Sequence, residues 1–164
     1  MKKGLLILTA ALMGAFLFAS FSTVSAEPKA PIECVMDIVY DDHEDEVYYW
    51  YGPVSGCILE GHIRFDADEE NPAYVTGNML HFFEKFTIYP KGGGEIYGIN
   101  AGVGDIFNKY KFRANGWVTD TTKPKEWAYL IGYKTFEMGT SSDPFDPPIF
   151  APDTLLRLVP AQKK

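Results

Sequence analysis

After residue 30 the apolar residues of this chain recur at every second position, and no stretch carries a convincing i, i+3, i+4, i+7 stripe. A chain with that period folds as strands that bury one face. Runs at 34–40, 47–51, 55–66, 79–89, 95–100, 105–119 and 127–138 read as strands, and 155–159 closes the set. β-branched and aromatic residues dominate them, as a half-buried pleated surface favours. The expectation is an all-β protein, a small antiparallel β-barrel of about eight strands.

Two hairpin registers make that expectation specific. If Ile63 faces Leu80, then Cys57, Leu59, Ile63, Phe65, Leu80, Phe82, Phe86 and Ile88 share one face. Glu60, His62, Arg64, His81 and Lys85 share the other. If Val118 faces Trp127 across "DTTKPKE", one face collects Asn108, Tyr110, Phe112, Trp127, Tyr129, Ile131 and Tyr133. Gly116 then sits opposite Tyr129 and leaves it room, as in a tapered barrel interior.

Residues 92–120 hold seven of the fifteen glycines. A dinucleotide fingerprint needs glycine at relative positions 1, 3 and 6 before a helix. Gly92 and Gly94 are followed by Tyr97 at the third position, and Gly102 and Gly104 by Phe107. Gly93 and Gly98 have the spacing of a phosphate loop, but Ile99 stands where lysine belongs. The pattern excludes nucleotide binding and reads as turns: "KGGG" and "AGVG" join strands, while Gly98 and Gly116 mark bends or close packing. The stretch 139–154, with four prolines between 144 and 152, reads as an extended loop.

The segment "FTIYPKGGGEIYGINAGVGDI…YKFRANGWV", residues 86–118, resembles the glycine-turn pattern of allene-oxide-cyclase-like barrels, a calycin-like group. The resemblance implies a short antiparallel barrel with an apolar interior. Plant cyclases of that group carry a catalytic Glu and Asn on early strands. Here "CVMDIVY", residues 34–40, offers no such pair, so the resemblance implies the fold and not the cyclase activity.

Lys2 and Lys3, the apolar run from Gly4 to Phe21, and Val24-Ser25-Ala26 before Glu27 read as a secretory signal peptide, residues 1–26. The competing reading is a membrane anchor, but no basic stop-transfer cluster follows. Residues 27–164 then form one barrel domain, secreted or periplasmic, with no membrane insertion after signal removal. Loss of the two lysines moves the formal charge from −7 to −9. That balance argues against nucleic acid and anionic membrane as partners. An exported chain meets an oxidising compartment, so Cys34 and Cys57 are expected to form a disulfide. The alternatives are two buried free thiols or, without a histidine partner in any motif, a catalytic cysteine.

Glu84 is the anomaly of the first hairpin, a carboxyl on the apolar face. It reads as a general acid or a polar anchor, or as a solvent-facing residue if the register slips. His62 and His81, opposite one another near Glu60, would begin a zinc site, but Arg64 and Lys85 share their face; no metal is expected. "DDHEDE" lacks the spacing of a calcium loop and reads as a solvated turn. Asn108, Tyr110, Phe112, Trp127, Tyr129 and Tyr133 are the ligand-binding candidates, flat apolar surface with polar tips. The leading expectation is a non-catalytic module for a small apolar or aromatic ligand, with no cofactor. The alternatives are an isomerase or cyclase using Glu84 with a tyrosine as acid and base, and a structural or interaction protein with a filled barrel. Oligomeric state is not legible.

The mature protein is expected to begin at Glu27, as N-terminal sequencing of protein from the periplasm or medium would read. An intact Met1 terminus in the membrane fraction would contradict the cleavage.

Overall fold

Alternation produces nine strands among the described residues. The computed structural model describes residues 30–42, 48–107, 110–143 and 148–161. The expected signal segment 1–26, residues 43–46 of the acidic run, Asn108 and the prolines between 144 and 147 lie outside the described residues. The strands are β1 (Ile32–Asp42), β2 (Tyr48–Ser55), β3 (Gly61–Ala67), β4 (Tyr74–Thr76), β5 (Met79–Pro90), β6 (Ile96–Asp105), β7 (Lys111–Thr121), β8 (Lys134–Thr140) and β9 (Ile149–Val159). All pairings are antiparallel, in the order β3-β2-β1-β9-β8-β7-β6-β5, and β3 also pairs with β5. The sheet is therefore a closed eight-stranded barrel, with β4 as an extra strand along the start of β5.

Closure separates two ends. One gathers the start of β1, the end of β9, the β2–β3 turn and the β7–β8 connection. Here Leu59, Leu130 and Tyr133 pack with Met36, Ile63, Ile88, Leu156 and Leu158 into a continuous core. The disulfide joins Cys34 on β1 to Cys57 in the β2–β3 turn, with Cα atoms 5.1 Å apart. The other end gathers the connections that follow β1, β3, β6 and β8.

Four expectations change in detail. Ile63 pairs with Ile88 rather than Leu80, and His62 with Tyr89. The slide is by eight residues along the partner strand, an even number, so every side chain keeps its expected face. A turn at 56–60 separates β2 from β3 where one long strand was expected. "AGVG" is not a turn: Gly102 and Gly104 lie inside β6, and the chain reverses beyond Asp105. Ile96, Gly98, Asn100, Gly102 and Gly104 share the inner phase, and small residues there make space for rings. A Cβ on Gly98 would stand 2.0 Å from Cζ of Phe86.

The second hairpin also differs. Ala114 pairs with Glu137 and Gly116 with Thr135, so Gly116 does not face Tyr129. The start of the strand expected over 127–138 instead belongs to α1 (Pro124–Trp127) and a 3-10 turn over Ala128–Leu130. Proline at the first turn of a helix loses no needed donor. Trp127 Nε1 donates to the Gly93 carbonyl at 3.1 Å, and Lys123 Nζ to that of Gly92 at 2.8 Å, tying α1 over the closed end. Within the expected 139–154 loop, β8 runs on to Thr140 and β9 begins at Ile149. Pro152 is accommodated at an irregularity in β9, where Asp153 takes φ 51° and its N–H bonds Oδ1 of Asp37 at 2.9 Å.

Replacing Cys34 and Cys57 together by alanine is expected to lower unfolding free energy by about 3 kcal/mol, measured by urea denaturation. An unchanged midpoint would show that the disulfide adds nothing to the ring.

Candidate functional site

At the end away from the disulfide, the inner positions of several strands do not fill the barrel. They leave a cavity of about 470 Å³. Its wall includes Ile38, Trp50, Phe65, Phe82, Phe112 and Ile149. Alternation explains the lining, since each of these residues stands at an inner position of its strand. Gly102 and Gly104 complete the explanation. A Cβ on Gly102 would lie 2.2 Å from Cζ of Phe82, so that ring occupies the space a side chain would take. A Cβ on Gly104 would meet only Phe112 Cβ, at 3.6 Å, so Gly104 leaves open volume.

Two carboxyls of the cavity wall stand at inner strand positions. Glu84 on β5 and Glu137 on β8 both line it. Glu137 is 4% exposed. Asn100 donates through Nδ2 to Oε1 of Glu137, and Thr135 Oγ1 donates to Oδ1 of Asn100 at 2.8 Å. All three side chains of that chain of bonds are buried. Burial pushes the Glu137 carboxyl up to about 8, against the opposing effect of the Asn100 donor. Burial, and then the neighbouring Glu137, raises Glu84 well above the usual carboxylate range. Glu84 is half-buried and lines the cavity. The two carboxyls titrate as a pair.

The expected aromatic face divides between the two ends of the ring. Tyr110 and Phe112 line the cavity. Tyr110 takes φ 47°, an uncommon backbone for a non-glycine residue, in the β6–β7 turn. Desolvation first, then the Asp143 carboxylate, raises its phenol. Trp127, Tyr129 and Tyr133 belong to the opposite, closed end and are not in the cavity wall. There Tyr129 and Tyr133 meet edge to face, with ring centroids 6.1 Å apart. The inserted α1 and the 3-10 turn are the physical reason for the division.

The histidines are not brought together. His62 is exposed and pairs with Tyr89, whereas His81 pairs with Tyr74 and Val103 and stacks on the Tyr74 ring at 4.6 Å. Among the described residues no group of three or more His, Cys, Asp or Glu is arranged to hold a metal ion.

Sequence reasoning found Glu84 and missed Asn100, Thr135 and Glu137. The signal was present. The odd phase that turned Tyr129 and Tyr133 inward reaches Thr135 and Glu137 two and four positions later. The even phase of Ile96 and Gly98 reaches Asn100.

No family model matches this chain, and neither a curated protein nor a solved structure matches it.

The glutamate pair sets a direction of pH dependence. Both folded values lie above the unfolded value. Below about pH 4 both states hold the protons and stability is fully present. As pH rises, the unfolded chain releases protons that the folded chain keeps, until the folded values are passed. Stability should therefore fall between about pH 5 and about pH 8, by at most about 1.4 kcal/mol per unit for each carboxyl. Urea midpoints across that range measure it, and Glu137→Gln should flatten the slope. A wild-type midpoint that climbs over the same range would contradict the burial argument.

Proposed function

We propose that this chain is an exported barrel that binds a small, mostly apolar ligand in the open half of its interior. The single observation that carries the proposal is the cavity of about 470 Å³ with aromatic and aliphatic walls and two carboxyls inside it. That size lies within the range of small-molecule sites, and apolar lining with a few polar groups is their usual composition. Export is supported by the Cys34–Cys57 bond, which suits an oxidising compartment, and by the signal-like N-terminal sequence. The calycin-like resemblance of residues 86–118 fits a ligand-holding barrel.

A second reading has one observation in its favour. Glu84, Glu137 and Tyr110 line the same cavity, as an isomerase using Glu84 and a tyrosine as acid and base would require. Recovery of a bound compound chemically altered would favour that reading, and recovery unchanged the binding module.

Gly104→Leu is the decisive substitution for binding. Its Cβ has room, and the rest of the side chain extends into open volume. Fluorescence enhancement of an apolar probe is expected to fall by an order of magnitude or more while the barrel still folds. Gly116→Leu serves as the contrast, because a Cβ there would stand 1.7 Å from the Ile99 carbonyl oxygen. It should destabilise the fold by about 1–3 kcal/mol or more. A wild-type protein that never enhances the probe would remove support for a binding module.

A further inference from the structure

The sign of the charges around the cavity narrows what can enter. Its wall carries Asp66, Asp68, Glu69 and Asp105 in addition to Glu84 and Glu137. No lysine, arginine or histidine lines it among the described residues. Two nearby cations are engaged with these carboxylates: Arg64 Nε donates to Oδ1 of Asp66 at 2.7 Å, and Lys85 Nζ lies 3.3 Å from Oδ1 of Asp68. Neither cation lines the cavity beside the glutamate pair.

Among the described residues the two glutamates have no cationic partner. Glu84 pairs with Ala67 on β3 and Asn100 on β6, and Glu137 with Ala114 on β7 and Leu156 on β9. None of those four side chains titrates. The remaining titratable groups on the cavity wall are Tyr40, Asp66, Asp68, Glu69, Asp105 and Tyr110, all acids. An anion would therefore meet like charge at every ionised position of the described wall. A neutral hydroxyl would gain one hydrogen bond and nothing from the other carboxylates. An ammonium group would gain opposite charge, three donors for the carboxyl oxygens, and the faces of Trp50, Phe65, Phe82 and Phe112 along its path.

We propose that the cavity takes a cationic amphiphile, an alkyl or aryl ammonium ligand whose head seats against Glu84 and Glu137 and whose apolar tail lies along the aromatic wall. This rests on the binding reading above and names its ligand class. The proton balance follows from the pair. In the unliganded barrel burial favours the protonated form of both carboxyls. An arriving ammonium stabilises one of them as carboxylate, and that carboxyl releases its proton to solvent. Binding is thus coupled to the release of up to one proton, and affinity rises with pH by up to about tenfold per unit below the value of the free pair.

Three compounds with one tail test this: n-octylamine, octan-1-ol and octanoate, titrated calorimetrically into the intact protein between about pH 5 and about pH 8. Octylamine should bind at least about tenfold more tightly than octanol near neutral pH, a difference of about 1.4 kcal/mol, and octanoate weakest of the three. Octylamine affinity should rise with pH while octanol affinity stays level. Titrations in two buffers of different ionisation enthalpy should report proton release with octylamine alone. Glu84→Gln should lower octylamine affinity at least about tenfold near neutral pH, toward that of octanol. Should that variant not fold, the proton release of the wild type decides. Octanol binding as tightly as octylamine, or octylamine binding without proton release, would overturn the proposal and leave the apolar cavity standing. Failure of all three to bind would overturn the binding reading itself.

Discussion

The pairing of β3 with β5 is the contact on which everything else depends. Without it the sheet has two edges, and each would present unpaired backbone groups to any other strand. With it the ladder is continuous and the inner face becomes an enclosed volume. An enclosed volume must be filled by side chains or remain a cavity, and this barrel does each in one half. Large aliphatic residues, Leu59, Leu130 and the disulfide occupy one end. Glycines on β6 and the widely placed aromatic rings leave the other end open.

Glu84 and Glu137 share the cavity that the filled half leaves open. A carboxylate there would lose its hydration without a cation to replace it, so the neutral form is favoured. Asn100 donates to the Glu137 carboxyl, and Thr135 holds the Asn100 amide in place through its oxygen. The arrangement is costly as a core and sensible as a site. Replacing the pair by leucine would remove the cost of two buried carboxyls, yet it would erase two polar reference points of the cavity.

Which residues face inward was legible in the sequence to a larger extent than which residues face each other. Inward direction depends on parity alone, and parity survived a slide of eight residues between β3 and β5. Glu84 was recognised as an interior carboxyl for that reason. Partners depend on where the chain turns, and turns are local. Pro124 begins a helix rather than closing a tight hairpin, which moved Trp127, Tyr129 and Tyr133 away from Tyr110 and Phe112. The glycines of β6 were misleading in the same way. Glycine serves a turn and a ring-bearing neighbour equally well, and only the tertiary partner, Phe82 or Phe86, separates the two uses.

The register of β1 against β9 sets Ile32 opposite Leu158, so the first strand of the ring is completed by the last. During synthesis β1 emerges long before β9 exists, and one side of it stays open while the other already has β2. Contacts of such wide sequence separation are slow to form, since the intervening chain must first be ordered. The Cys34–Cys57 bond spans only 23 residues and can form without β9. It ties the waiting strand to its own hairpin and limits the partners an exposed edge can find before the ring is complete.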